Sequence, residues 1–123
     1  MHWAGKIMNR HHTINYLEIP TSDIDCSKAF FNTVFGWHFE DYGPQYSCFI
    51  DAGMTGGFYQ AEVCFTLEKG CPLIVLYSKT LEETLAAVIA AGGAISTEIF
   101  SFPGGRRFHF IEPAGNEYAV WSE

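Results

Sequence analysis

The sequence predicts an α+β protein built of two tandem βαβββ modules whose curved mixed sheets enclose a cleft. Three observations carry that prediction. An interval of 12 positions from an apolar helix start to a glycine stop, Ile24 to Gly36, recurs as Leu81 to Gly93 at an offset of 57. The segment FIDAGMTGGFYQ (49–60) lies over FIEPAGNEYAVW (110–121) without a gap, at an offset of 61, and the four-residue difference falls in the hairpin of Pro103, Gly104 and Gly105. The composition is 48% hydrophobic, 16% aromatic and 17% charged, which favours strands around a large aromatic core or cavity. At 123 residues the chain has room for one domain of ordinary size.

In the first module, TINYLEIP (13–20) is β-rich and ends at a proline, so it reads as a strand. Ser22 with Asp25 fits a capping box for the helix that follows. Ile24, Phe30, Phe31, Val34 and Phe35 form its apolar stripe, and Gly36 supplies a left-handed stop. Short strands follow at Trp37–Tyr42, Gln45–Asp51 and Gly56–Ala61, separated by Gly43-Pro44 and Asp51–Thr55.

The second module repeats the order. Pro72–Tyr77 is an apolar strand, Thr80 and Glu83 fit a second capping box, and Leu81, Leu85, Val88 and Ile89 make the stripe that Gly92-Gly93 stop. Strands are predicted at Ala94–Phe102, Arg107–Glu112 and Glu117–Ser122. The expected organisation is a leader or frayed end at 1–11, module one at 12–61, a linker at 62–71 and module two at 72–123, the last three forming a single domain.

Charge and thiols bound the function. Seven basic against 14 acidic residues give a net charge of −7, without the basic stripe of a nucleic-acid binder. No apolar run approaches the ~20 residues of a membrane span, and none near the start has signal-peptide character. Cys26, Cys48, Cys64 and Cys71 show no CxxC spacing and read as thiols in a reducing, cytoplasmic setting.

The runs NYLEIPTSDIDCSKAFFNTVFGW, the Gly-Gly-Phe strand, LYSKTLEETLAAVIAAGG and FIEPAGNEYAVW, in this order, resemble the vicinal oxygen chelate superfamily: glyoxalase I, bleomycin resistance protein and the extradiol dioxygenases. The resemblance runs from about His12 to Glu123. It implies a paired-sheet cleft with four metal-ligand positions, usually His or Glu, whose ion acts as a Lewis acid on two adjacent substrate oxygens. Carried onto this chain, those positions fall on Tyr16, near Phe58, on Leu73 and on Ala119. Only Tyr16 bears a donor atom, so no cofactor is expected, and a divalent metal is the family alternative.

Because strand side chains alternate faces, residues two apart from these positions share the cleft. That set is Ile14, Tyr16, Glu18, Gly56, Phe58, Gln60, Val75, Tyr77, Glu117, Ala119 and Trp121. Tyr16, Phe58, Tyr77 and Trp121 read as stacking partners or core filling, and Glu18 and Gln60 as orienting groups. Arg107 and His109 fall on a neighbouring strand whose facing the sequence leaves open. Arg106 and Arg107 would anchor an anion or serve as solvated hairpin charges, and His109 would do acid–base work or sit as a bonded strand histidine.

The expected function is therefore metal-independent binding of an aromatic or amphiphilic small molecule, by a cytoplasmic homodimer that engages neither nucleic acid nor membrane. The alternative is a glyoxalase-like lyase or isomerase in which Glu18 or His109 transfers a proton. A third reading is an interaction module that pairs with another polypeptide.

Overall fold

The computed structural model describes residues 9–123; most of the expected leader lies outside the described residues. The chain divides into two compact units between Val63 and Cys64.

The first unit is built on α1 (Ile24–Phe35). Its N-cap is Asp23, whose side chain accepts the Cys26 N–H at 3.0 Å. The cap thus lies one residue beyond the Ser22 of the expected box, and the third residue on from it is a cysteine, so no reciprocal box forms. Gly36 stops the helix at φ 75°, its N–H on the Asn32 carbonyl, as the sequence requires. Strand β1 (Leu17–Thr21) starts four residues later than expected, because Thr13 turns back and donates its hydroxyl to the Arg10 carbonyl.

β1 runs parallel to β4 (Gly56–Gln60), with Glu18 opposite Gly57 and Ile19 opposite Phe58. β3 (Tyr46–Ile50) and β2 (His38–Asp41) continue antiparallel, giving the order β1-β4-β3-β2. One face of this sheet carries Ile19, Phe49 and Phe58 against the helix, where the Phe31 ring packs on Trp37 and Phe58. The far face carries Tyr16, Glu18, Tyr46, Cys48 and Gly57.

The second unit mirrors this plan. β5 (Ile74–Tyr77) runs parallel to β8 (Glu117–Ser122), β8 pairs with β7 (Gly105–Ile111), and β7 with β6 (Ala94–Phe102), in the order β5-β8-β7-β6. Thr80 occupies the N-cap of α2 (Leu81–Ala90) but makes no side-chain cap bond. Ser78 replaces the expected box: its hydroxyl oxygen accepts the Thr80 N–H at 3.0 Å and pairs with the Thr84 hydroxyl at 2.6 Å. Leu81 and Val88 of the helix are buried, as are Phe108, Phe110, Tyr118 and Val120 on the near face of the sheet.

The expected linker 62–71 is attached to this unit over much of its length. Asn116 Oδ1 accepts the Phe65 N–H at 3.0 Å, Glu117 donates its N–H to the Phe65 carbonyl at 2.9 Å, and the Phe65 ring packs edge-on to Tyr118.

Candidate functional site

The far face of the second sheet gathers the chemistry. Along β7, Phe108 and Phe110 point toward α2 and are fully buried, so Arg107 and His109 between and beside them point away from it. Arg106 confirms the alternation from the other side, because its guanidinium forms a two-pronged ion pair with Glu82 on the helix. Of the two hairpin arginines, only Arg107 therefore faces the candidate site. The neighbouring β8 presents Glu117, Ala119 and Trp121, and β5 presents Val75 and Tyr77.

His109 is 5% exposed, and neither ring nitrogen has a hydrogen-bond partner. Its Nδ1 lies 3.9 Å from Glu117 Oε2, too far for a hydrogen bond. Burial, and then the Arg107 charge, hold its pKa below the ordinary 6.5, while Glu117 pulls the other way. The imidazole is therefore neutral at neutral pH, with one donor and one acceptor.

Both Glu117 oxygens are engaged: Oε1 accepts the Leu67 N–H at 2.8 Å and Oε2 the Ser96 hydroxyl at 2.7 Å. Arg107 lies with its guanidinium carbon 5.2 Å from the Phe100 ring centre and 5.6 Å from that of Phe102. Its Nε is buried without a partner. Trp121 packs against Tyr77 and Phe102, and Tyr77 donates its hydroxyl to Glu123. Val75, Tyr77 and Phe100 form the exposed apolar rim. Ser96, Phe100 and Phe102 were not among the candidates; their signal was the alternation of β6, which two register shifts interrupt.

The first module's far face holds a different cluster. Tyr46 donates its hydroxyl to Glu18 at 3.0 Å, and the Tyr16 hydroxyl lies 2.5 Å from that of Tyr46 and 3.6 Å from Cys48 Sγ. A hydroxyl has one proton, so Tyr16 is the donor to Tyr46. Burial first, and these bonds second, push the Tyr16 pKa far up. Burial also raises the Cys48 thiol.

Three expected cleft residues of β4 are corrected, Gly56, Phe58 and Gln60, and a Cβ on Gly56 would point at the core ring of Phe49. Phe58 is fully buried on the helix side of β4, in ring contact with Phe31, Phe39 and Phe49, and Gln60 shares its parity and donates to the Ser22 carbonyl. The sequence register was out by one residue in β4, which exchanges the two faces. Ile14 precedes β1 and lines a separate open pocket of about 410 Å³ with Arg10, Thr13, Asn15 and residues 53–55.

The corrected register also relocates one metal-ligand position. Ala119 pairs with Val75, and Glu18, the counterpart of Val75 at the offset of 57, pairs with Gly57. The four positions are then Tyr16, Gly57, Leu73 and Ala119. Three have no donor, and the fourth is a protonated phenol whose proton is committed to Tyr46. A Cβ on Gly57 would meet the Tyr46 ring at 2.6 Å, so that ring fills the space a ligand side chain would need. The residues present do not fit a divalent metal there. Among the described residues, no group of three or more His, Cys, Asp or Glu is arranged to hold one elsewhere. Among the same residues, no helix is long and apolar enough to cross a membrane.

Comparison with known proteins agrees with this architecture. Residues 13–57 match the family model described as bleomycin resistance protein-like N-terminal. No curated protein matches. Among solved structures, a glyoxalase-related enzyme from Fulvimarina pelagi is similar at TM-score 0.75 and 15% identity, over 91% of this chain and 88% of that one. A glyoxalase/bleomycin resistance protein/dioxygenase family enzyme from Burkholderia phytofirmans PsJN is similar at TM-score 0.73 and 20% identity, over 88% and 96%. The genomically encoded fosfomycin resistance protein FosX from Listeria monocytogenes is similar at TM-score 0.75 and 12% identity, over 93% and 95%. With its duplicated βαβββ sheets and this set of likenesses, the chain has the fold of the vicinal oxygen chelate superfamily, and its first module matches that fold's bleomycin-resistance type.

Proposed function

We propose that this chain binds a small aromatic or amphiphilic compound, without a metal ion, on the far face of its second module. The observation that carries the reading is His109. It is buried with both ring nitrogens unpartnered, amid Trp121, Phe100, Phe102 and a stacked Arg107. A buried polar group without a partner costs about 1–3 kcal/mol, which a ligand supplying that partner recovers. The exposed rim of Val75, Tyr77 and Phe100 offers apolar area for the ligand's body. Metal independence is supported by the donor-poor set Tyr16, Gly57, Leu73 and Ala119. The reading includes a cytoplasmic homodimer, supported by four thiols and by exposed apolar side chains such as Val63 and Ile89.

A thermal-shift screen of aromatic compounds on tag-free protein tests the reading. A ligand at 100 times its dissociation constant adds about 2.7 kcal/mol of stability, and Trp121→Ala is expected to remove the response. Elemental analysis after incubation with Zn, Ni, Mn and Fe(II) and exhaustive dialysis is expected to find well under one equivalent. A full equivalent would overturn the metal-free part.

One observation favours a second reading, a lyase or isomerase: His109 is a neutral base beside a carboxylate, and Glu18 is a carboxylate bonded to a tyrosine. On that reading His109→Gln or Glu18→Gln abolishes turnover of a compound that still binds. Binding by the wild type with no turnover leaves the binder.

A further inference from the structure

We propose that the ligand of the second module carries an anionic group, a carboxylate or its equivalent, held by Arg107 and His109. This rests on the binding reading above and adds the ligand's chemical class. The argument is an inventory of polar atoms on one sheet face. The buried carboxylate of this face is already held by two donors, Glu117 accepting from the Leu67 N–H on one oxygen and from the Ser96 hydroxyl on the other. The hydroxyl protons of Ser96 and Tyr77 are spent too, on Glu117 and Glu123. The Arg107 Nε–H and the His109 ring remain, both buried and both without partners. Arginine only donates, and a neutral imidazole has one N–H to give.

The two residues stand two apart on one face of β7, about 7 Å between Cα atoms by strand geometry. One small acceptor group placed between the side chains serves both donors. Arg107 is already oriented by Phe100 and Phe102, so holding an anion costs little side-chain entropy. A cationic ligand would meet the Arg107 charge, and it would leave the buried Nε–H without an acceptor. A neutral hydrocarbon would leave the Nε–H as unsatisfied as it found it.

The experiment is calorimetric titration of the whole chain with three probes of one shape: 2-naphthoate, 2-naphthamide and 2-naphthylmethylammonium. Naphthoate is expected to bind about tenfold or more tighter than the amide, and the ammonium weakest, the scale of one charge-assisted hydrogen bond. Arg107→Gln is expected to bring naphthoate down to the amide's affinity while leaving the amide unchanged. Trp121→Ala weakens both alike. Should Arg107→Gln fail to fold, Arg107→Lys keeps the charge and stem but lacks the Nε–H donor, and is expected to cut naphthoate alone by about threefold. Equal affinity for naphthoate and naphthamide, or an arginine variant that weakens both alike, overturns the anion assignment and leaves the binding face standing. No heat with any of the three overturns the binding face, and the assignment with it.

Discussion

Glu117 lies 3.9 Å from the His109 ring yet accepts its hydrogen bonds from elsewhere, from the Leu67 N–H and the Ser96 hydroxyl. A carboxylate so committed tunes the histidine by its field and leaves the ring nitrogens open.

The His109 titration is accordingly expected below the ordinary 6.5, read from the imidazole resonances in an NMR pH series. Arg107→Gln should raise that pKa, because it removes a repelling charge, and Glu117→Gln should lower it further. The folded state binds this proton less readily than the unfolded chain. Stability is therefore full above about pH 6.5 and falls as the pH drops from there through the folded-state pKa. His109→Gln should flatten that slope in denaturant melts at successive pH values.

Glu117→Ala removes the acceptor from two donors at once, the Leu67 N–H and the Ser96 hydroxyl. A loss of about 2–4 kcal/mol is expected in urea unfolding, with Glu117→Gln costing about half of that. Amide exchange at Leu67 separates this from a general loss of packing, because it should quicken more than exchange at Phe110.

Two adjacent strand glycines should respond unequally to a methyl group. At Gly56 a Cβ would lie 2.2 Å from the Leu17 carbonyl oxygen, in the paired backbone, and 2.4 Å from the Phe49 ring. At Gly57 its three nearest neighbours would all be Tyr46 side-chain atoms, the first at 2.6 Å. Gly57→Ala is expected to cost about 1–3 kcal/mol and Gly56→Ala more than that. Thermal melts of the two variants that rank them the other way would contradict the β4 register.

Cys48 is fully buried, and burial raises its pKa, whereas the other three thiols are partly exposed. Titration with a thiol reagent at pH 8 should therefore show three reactive groups per native chain and a fourth only on unfolding. Tyr46→Ala, which uncovers the tyrosine cluster, should make Cys48 react in the native protein.

Most of the architecture was legible because periodicity and stop signals are local. The Ile24-to-Gly36 interval and its copy at Leu81 to Gly93 located both helices, and the turns at Gly43 and Gly104 separated strands that do form. The facing of β4 was not legible. Gly56, Gly57 and Phe58 carry no alternation from which to read a face, and only the pairing of Glu18 with Gly57 settles it. Arg107 and His109 were visible as candidate chemistry, but their facing depended on Phe108 and Phe110 both being core. The ties of Leu67 and Ser96 to Glu117 join residues 50 and 21 positions apart, a separation no local pattern encodes.

In each half, the first strand lies beside the last, Glu18 against Gly57 and Val75 against Ala119. During synthesis, β1 must wait for roughly forty further residues to emerge before its neighbour exists. Once Gln60 clears the ribosome, however, every strand of the first sheet has all its partners. The first half can thus close its hydrogen-bond ladders while the second is still being translated, which spares the nascent chain a long interval with β1 unpaired and open to aggregation.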